Sequence, residues 1–206
     1  MALRLLDHPL VAHLMTRLRN RDTGPEEFRR LARTLSQLLV IEATRQMRSS
    51  SVTVNTPLES TEGEQLAQTL ALVPILRAGL GMMEAAAEMF PKVSIGYIGL
   101  ERHESTAVAH SYYCKLPDLA DAFTLCLDPM LATGGSASQA LSLVRAHGAK
   151  SVVMVSVVAA PEGVAKLERD HPDIEIVAAA LDRTLDARKF ILPGLGDFGD
   201  RLYGTP

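Results

Sequence analysis

The sequence predicts an α/β fold built on a mostly parallel, doubly wound sheet, and two observations indicate it. Short apolar segments that suit buried strands alternate with segments of helical spacing through most of the chain. The strand segments, such as Phe123 to Leu127, are mainly hydrophobic at successive positions, which is typical of parallel strands covered on both faces. We therefore expect helices on both faces of the sheet and ligands beyond the carboxyl ends of its strands.

The individual elements follow from the spacing of the apolar residues. The first is one amphipathic helix over residues 25 to 47, which Pro25 and Glu26 open. The predicted strands that follow are residues 71–75, 93–98, 123–128, 151–158 and 174–181, and the predicted helices between them are residues 81–89, 136–147 and 161–169. Residues 182 to 206 are rich in glycine and proline and break the alternation, as a flap over the sheet would.

Length and composition limit the possible organisation of the chain. A chain of 206 residues with 47% hydrophobic composition is long enough for one well-buried domain, and no segment resembles a flexible linker. We therefore expect a single domain over residues 1–206, with a helical N-terminal region over residues 1–50 and the flap over residues 182–206.

Charge and cysteine usage argue against several functional classes. The net charge of −3 and the lack of a dense Lys/Arg run argue against a general nucleic-acid binder. The longest apolar stretch, Val152 to Ala160, is too short to span a bilayer, and the N-terminus has no signal-like core, so we expect a cytoplasmic protein with no membrane partner. Cys114 and Cys126 do not form a Cys-x-x-Cys pair, and the six histidines lack metal-binding spacing, so a zinc or redox site is not expected.

The most informative segment lies between a predicted strand and a predicted helix, and reads Asp128-Pro129-Met130-Leu131-Ala132-Thr133-Gly134-Gly135-Ser136. Two glycines at such a junction let several backbone N–H groups face one point, and the helix dipole adds partial positive charge. Thr133 and Ser136 add hydroxyl donors, while Asp128 can accept hydrogen bonds from vicinal sugar hydroxyls. The segment therefore suits a phosphorylated sugar.

Residue spacing argues against other interpretations of the glycine-rich segments. An ordinary turn with Ser136 as N-cap would explain Thr-Gly-Gly-Ser alone, but Asp128 and the buried strand favour a phosphate site. The segment lacks the lysine of a Walker-type loop and falls one residue short of a Gly-x-Ser-x-Gly nucleophile elbow. Residues 194–199 match Gly-x-Gly-x-x-Gly, but the chain ends seven residues later, which leaves no room for the rest of a dinucleotide site.

Two further segments carry candidate diphosphate ligands. Leu76-Arg77-Ala78-Gly79 follows an apolar strand and offers close backbone approach with a fixed positive charge, although an arginine that merely caps a strand end is the alternative. Residues 101 to 110 are polar and lack clear periodicity, so we predict a mobile loop there. From this loop, Arg102 could close over a bound diphosphate.

Together these segments resemble the uracil phosphoribosyltransferase family, and the similarity runs nearly end to end. The blocks around Arg77, Asp128 and Gly196 are highly specific in combination. The matching segments are His8-Pro9-Leu10-Val11, Glu42-Ala43-Thr44, residues 73–82, residues 128–136, Ala159-Ala160-Pro161-Glu162-Gly163, Pro193-Gly194-Leu195-Gly196-Asp197 and Gly199-Asp200.

The resemblance implies a type I phosphoribosyltransferase-like fold, with residues 182–206 as a uracil-binding hood, and formation of UMP and diphosphate from uracil and 5-phospho-α-D-ribose 1-diphosphate. Relatives often have a cis peptide at the Arg77 segment. The implied ligands of phosphoribosyl diphosphate are Arg77, Arg102, Asp128, Pro129, Met130, Leu131, Ala132, Thr133, Gly134, Gly135, Ser136 and Asp197. The implied uracil ligands, which act largely through backbone groups, are Ile191, Gly196, Asp197 and Phe198. Catalytic roles are implied for Asp128, Arg102 and Asp197, and no side chain stands out as a general base.

The resemblance also implies magnesium as cofactor, held through the diphosphate and water near Asp197, a homodimer or higher oligomer, and a GTP effector in some members. Three alternatives remain open. One is a phosphoribosyltransferase of another base, the second is a non-catalytic sensor of phosphoribosyl diphosphate that binds RNA or DNA, and the third is a structural protein of this fold. The sensor would be expected to carry a basic patch, and a structural protein would not need Arg77, Arg102 and Asp128 together.

Overall fold

A computed structural model describes residues 3–90, 92–102 and 109–205, and for residues 101, 102 and 109–111 it describes the backbone alone. The strands are β1 (Leu3–Leu5), β2 (Ser49–Asn55), β3 (Ser60–Leu66), β4 (Leu70–Leu76), β5 (Val93–Ile95), β6 (Tyr97–Arg102), β7 (Ala109–Lys115), β8 (Phe123–Leu127), β9 (Met130–Leu131), β10 (Ser151–Ala159), β11 (Glu175–Leu181), β12 (Thr184–Leu185) and β13 (Ile191–Leu192). The helices are α1 (Pro9–Arg19), α2 (Pro25–Ala43), α3 (Leu80–Met89), α4 (Gly135–Ala146), α5 (Pro161–Asp170) and α6 (Phe198–Tyr203).

The central sheet has the strand order β1-β11-β10-β8-β4-β6-β7. Each pairing along this order is parallel except that of β6 with β7, which is antiparallel. Alternate side chains of β10 belong to opposite apolar clusters, Val153 and Val155 to one and Val152 and Met154 to the other. Helices α1, α2 and α3 cover the first cluster and α4 and α5 the second, so the predicted α/β fold with a mostly parallel, doubly wound sheet is confirmed.

Several predicted boundaries are wrong. The helix predicted over residues 25 to 47 ends at Ala43, where the backbone of Thr44 leaves the helical conformation and its hydroxyl donates to the Val40 carbonyl oxygen at 2.7 Å. The strand predicted over residues 93 to 98 is two strands, because β5 and β6 pair with different parts of β4. The helical N-terminal region also contains β1, which extends the edge of the sheet beside β11.

Both ends of the segment predicted as a polar loop, residues 101 to 110, belong to strands instead. Glu101 pairs with His110, and Arg102 with Ala109, across the antiparallel strands β6 and β7. Backbone hydrogen bonds form this ladder, so polar side chains do not prevent it. Residues 103–108 lie outside the described part of the chain, and so does the prediction of mobility there. No helix among the described residues combines the length and the apolar character needed to cross a membrane.

An ion pair with a buried carboxylate fixes the start of the C-terminal segment against α1. Arg19, the last residue of α1, donates to both carboxylate oxygens of Asp182 at 2.5 and 2.7 Å, and the Gly194 N–H donates to the same carboxylate at 2.8 Å. The Asp182 side chain is 5% exposed. This carboxylate therefore connects segments from opposite ends of the chain, α1 and the start of the C-terminal segment.

We expect Asp182→Ala to lower the free energy of unfolding by about 3 kcal/mol, because it leaves the Arg19 guanidinium partly buried without its partner. Denaturant unfolding measures this change. The control is Asp121→Ala, which removes an exposed carboxylate 3.7 Å from Lys150 and should change stability by less than about 0.5 kcal/mol. Equal effects of the two substitutions would contradict the prediction.

Candidate active site

The Arg77 and Asp128 segments leave the same edge of the sheet. Strands β4 and β8 are adjacent and parallel, and Pro74 lies opposite Leu127 near their carboxyl ends. Gly79 lies directly against the end of β8, since a Cβ atom at Gly79 would stand 2.4 Å from the carbonyl oxygen of Leu127. The structure therefore brings together two segments that are far apart in the chain.

Residues 128–137 form a small cradle at the N-terminus of α4. Its cavity of about 30 Å³ is lined by Asp128 and by residues 130–137, which include every predicted residue of this segment except Pro129. Gly134 precedes the helix with a φ of 77°, a left-handed conformation that favours glycine. The N–H groups of the first helical turn have no acceptor inside the helix, and that turn contains no acidic residue. The cradle is therefore suited to an anion of the size of phosphate.

Backbone hydrogen bonds to β10 hold the cradle in place. The Asp128 N–H donates to the Val155 carbonyl oxygen at 3.1 Å, and the Pro129 carbonyl accepts from the N–H groups of Val157 and Val158 at 3.1 and 3.0 Å. The half-buried Asp128 carboxylate also accepts a long hydrogen bond from the Met130 N–H at 3.4 Å. Pro129 thus supports the cradle from behind, while Asp128 lines the cavity.

Gly163, at the start of α5, supports the cradle, although the sequence indicated only that it belongs to a segment shared with the family. A Cβ atom at Gly163 would lie 2.5 Å from the Ala132 carbonyl oxygen and 2.8 Å from that of Leu131. One at Gly134 would in turn lie 2.8 Å from the Gly163 carbonyl oxygen. The cradle and α5 are therefore in backbone contact, which only glycine permits at this position.

A second cavity, of about 270 Å³, adjoins the cradle. The predicted residues that line it are Met130, Ala132, Ile191, Gly196 and Asp197. Three residues that were not predicted also line it: Arg188, Lys189 and Phe190. They belong to the tip of the β12–β13 hairpin, and adjacency to Ile191 was the signal that could have found them. Because Met130 and Ala132 line both cavities, a single ligand could occupy the two together.

The β12–β13 hairpin is anchored to the same helix that supports the cradle. The Glu162 carboxylate accepts hydrogen bonds from the Leu185 N–H at 3.0 Å and the Thr184 hydroxyl at 2.8 Å. Hydrogen bonds from its own N–H and from that of Leu185 hold the pKa of Glu162 below its ordinary value. At the tip, the Asp186 carboxylate accepts from the Phe190 N–H at 2.8 Å. The hairpin and the cradle thus share α5 as their support.

Unlike the other predicted uracil ligands, Phe198 does not line the second cavity, and its side chain lies in the core. It is 1% exposed, and its ring packs edge-on against that of Phe28 with 5.2 Å between centroids. Contact with a ligand in the adjoining cavity would have to come from its backbone.

The Arg77 guanidinium is exposed and faces the short helix α6. Its Nη2 atom lies 3.8 Å from Oδ1 of Asp200, and its side chain is 66% exposed. The Tyr203 hydroxyl donates to the Arg77 carbonyl oxygen at 3.2 Å, and burial raises the pKa of this phenol above its ordinary value. The peptide bond between Leu76 and Arg77 is cis. Asp197 caps α6, accepting from the Asp200 N–H at 2.9 Å, so it stands close to the Arg77 segment.

Arg102 ends strand β6, which lies beside β4 with Leu76 opposite Gly99. Its backbone therefore extends past the same edge of the sheet as Arg77. The side chain of Arg102 lies outside the described part of the chain, so its contacts with the site remain a prediction.

Comparison with known proteins gives one consistent result. The sequence model of the family described as uracil phosphoribosyltransferase matches residues 5–205. The uracil phosphoribosyltransferase of Thermosipho melanesiensis is 44% identical to this chain over 207 residues, and that of Thermus thermophilus is 47% identical over 207 residues. Each alignment covers 100% of both chains.

Solved structures agree with the fold. A protein from Aquifex aeolicus superimposes with a TM-score of 0.92 at 37% identity, covering 98% of both chains. A hypoxanthine phosphoribosyltransferase from Staphylococcus aureus superimposes with a TM-score of 0.51 at 15% identity, covering 80% of this chain and 84% of that one. The latter likeness concerns the fold alone.

Proposed function

This chain belongs to the uracil phosphoribosyltransferase family, and on that premise we propose that it joins N1 of uracil to C1 of 5-phospho-α-D-ribose 1-diphosphate. The bond from C1 to the diphosphate oxygen breaks, diphosphate leaves, and UMP forms. No covalent enzyme intermediate is required. In this proposal the cradle at residues 128–137 binds the 5′-phosphate, and the second cavity, lined in part by the tip of the β12–β13 hairpin, binds the base.

The two cavities share a wall, and this arrangement supports the proposal most directly. Met130 and Ala132 line both the phosphate cradle and the larger cavity. A nucleotide monophosphate needs such an arrangement, because its base and phosphate lie at opposite ends of one ribose. Asp128, which lines the cradle, accepts hydrogen bonds from the ribose hydroxyls between them.

Charge develops in opposite senses on the two parts of the sugar substrate. As the C1–O bond lengthens, positive charge grows on the ribose ring and negative charge on the diphosphate. Arg77 and Arg102 stabilise the diphosphate most strongly late in this step, so their interaction favours the transition state over the ground state. Asp128 and the cradle hold C1 in line with the base, and well-aligned partners reach effective molarities of roughly 10⁵ M or more.

The test is an assay of nucleotide formation from phosphoribosyl diphosphate with radiolabelled uracil, and with hypoxanthine in parallel. We expect UMP from uracil and no product above background from hypoxanthine. Turnover of hypoxanthine alone would favour another base specificity. Protein that made no nucleotide but bound RNA or DNA with strong salt dependence would favour a regulator instead.

Magnesium fits the chemistry of this site. The described residues contain no group of three or more His, Cys, Asp or Glu side chains that could hold a metal. Asp197 and Asp200 stand at the start of α6 next to Arg77, and two carboxylates suit a magnesium ion that keeps several waters and takes phosphate oxygens as ligands. We propose that Mg²⁺ enters with the diphosphate near Asp197. When bound, it offsets negative charge on the leaving group.

Removal of divalent metal should therefore reduce UMP formation at least about tenfold, because the leaving diphosphate loses charge stabilisation. Initial rates in excess EDTA, followed by titration with MgCl₂, measure the loss and its recovery. A rate that EDTA leaves unchanged would contradict a magnesium requirement.

We also propose that the chain forms a homodimer or higher oligomer. The β2–β3 hairpin presents Leu58, Val54 and Leu66 to solvent with exposures of 95%, 43% and 54%, and apolar side chains on a projecting hairpin suit burial against a second copy. Analytical ultracentrifugation over a range of concentrations tests this, and a 22.3 kDa species throughout would contradict it.

Regulation by GTP is a proposal that family membership alone supports. Initial rates at fixed substrate concentrations, with and without GTP, decide it, and no change at millimolar GTP would exclude activation.

A further inference from the structure

Behind the phosphate cradle, four side chains join the first turns of α4 to the end of α5. The Asp170 carboxylate atom Oδ2 accepts hydrogen bonds from the Ser138 hydroxyl and from the Lys166 ammonium, each at 2.7 Å. Nε2 of His171 lies 2.9 Å from the Ser138 carbonyl oxygen, a contact that requires the proton on Nε2 because a carbonyl can only accept. The group thus ties the helix whose N-terminus forms the cradle to the helix packed behind it.

The same face of α5 also touches the cradle itself. Gly163, Lys166 and Asp170 follow one another at helical spacing, so they lie on one side of α5. Gly163 contacts the carbonyl oxygens of Leu131 and Ala132, and a Cβ atom at Gly134 would lie 3.2 Å from Cβ of Lys166. A displacement of Lys166 would therefore disturb Gly134, the left-handed glycine of the cradle.

Ser138, His171 and Asp170 contain the residue types of a hydrolytic triad, but their geometry differs from one. In a triad, the histidine stands between the serine and the carboxylate. Here the Ser138 hydroxyl donates directly to Asp170, while Nε2 of His171 is 3.4 Å from that hydroxyl and closer to the backbone carbonyl. Ser138 is also 9% exposed. This arrangement holds the helix and leaves no activated nucleophile.

We propose that Ser138, Lys166 and Asp170 are positioning residues for the 5′-phosphate, acting by fixing Gly134 and the first turn of α4. This inference rests on the proposed function. The Lys166 ammonium and the Arg169 guanidinium, whose Nε is 3.2 Å from Oδ1, compensate the charge of Asp170, so the cradle keeps its positive potential. Hydrogen bonds from Lys166 and Ser138 lower the pKa of Asp170 to about 2, so the carboxylate stays ionised at neutral pH.

Substitutions at Lys166 and Asp170 distinguish positioning from a direct electrostatic effect of these charges on the bound phosphate. The two explanations predict changes of different sign in the KM for phosphoribosyl diphosphate. Asp170→Asn removes a negative charge near the phosphate, so the electrostatic effect alone would lower the KM for phosphoribosyl diphosphate. Lys166→Met would raise it, and the double variant would come close to wild type. Positioning predicts a higher KM for phosphoribosyl diphosphate in both single variants and in the double variant. The KM of the double variant should be similar to that of either single variant.

We expect Asp170→Asn, Lys166→Met and Ser138→Ala each to raise the KM for phosphoribosyl diphosphate about fivefold to twentyfold. The kcat should stay within about twofold, and the KM for uracil should be unchanged. Glu168→Gln, on an exposed position of the same helix, is the charge-matched control for Asp170→Asn and should leave both KM values unchanged.

Calorimetric binding of ribose 5-phosphate gives a readout that does not depend on turnover. The three variants should bind it about fivefold to twentyfold more weakly than wild type. Wild-type protein that bound ribose 5-phosphate without making UMP would contradict the proposed function and leave this inference to be decided by the binding series. Unchanged or tighter binding by Asp170→Asn and Ser138→Ala, or additive effects in the double variant, would overturn it.

Discussion

Asp128→Asn should lower kcat/KM for UMP formation at least about a hundredfold. The half-buried carboxylate lines the cradle at the end of β8, where two ribose hydroxyls can donate to it. The asparagine amide offers one acceptor oxygen and turns an NH₂ donor towards the second hydroxyl. Each hydrogen bond to a charged group is worth about 1.5–3 kcal/mol, so loss of one and weakening of the other reach this magnitude.

The fold should survive this substitution, because the Asp128 N–H still bonds to Val155 and the remaining side-chain oxygen can still accept from the Met130 N–H. Thermal unfolding should therefore match wild type. Asp121→Asn is the control, since its carboxylate is exposed in the loop that enters the same strand. A rate near that of wild type for Asp128→Asn would remove this carboxylate from the site.

The sequence predicted the strand, turn and helix around the cradle correctly, because each depends on residues that are close together in the chain. The apolar segment before Asp128 and the helical spacing after Ser136 predicted the strand and helix that hold the cradle, with boundaries within one residue. The two glycines predicted a tight turn, and Gly134 is left-handed there. Backbone geometry of this kind depends on a few neighbouring residues, so it can be predicted from the sequence.

The core position of Phe198 could not be predicted in this way. Its ring packs against Phe28 on α2, and Arg201, three residues further on, lies 4.5 Å above the same Phe28 ring. These contacts join residues from opposite ends of the chain. A sequence pattern gives the neighbours of Phe198 along the chain, but it does not give the partner in space that decides which way the ring points.

The β2–β3 hairpin was missed for a different reason. Its strands, Ser49–Asn55 and Ser60–Leu66, are mostly exposed and contain little of the apolar alternation that marks a half-buried strand. Cross-strand hydrogen bonds from Ser51 and Thr53 to Glu62, at 2.7 and 2.6 Å, support the pairing instead. Such polar pairs become visible only when the register of the two strands is known.

Gly79→Ala should destabilise the protein and also move the Arg77 segment away from the Asp128 segment. The added Cβ would lie 2.4 Å from the Leu127 carbonyl oxygen and 2.7 Å from that of Ile75, and neither backbone atom can move cheaply. The backbone at Gly79 is right-handed helical, a conformation that alanine adopts easily, so the clash is the whole cause. We expect the free energy of unfolding to fall by about 2–3 kcal/mol.

Relief of this clash requires the Arg77 segment to move away from the end of β8, and with it from Asp128. Displacing one binding group by about 1 Å costs up to about a hundredfold in rate, so kcat/KM should fall at least about tenfold even where the variant remains folded. Gly63→Ala is the matched control, because its Cβ would meet only ordinary contacts at 3.8 and 3.9 Å in the exposed hairpin. A Gly79→Ala protein with wild-type stability and activity would show that the Arg77 and Asp128 segments do not depend on this contact.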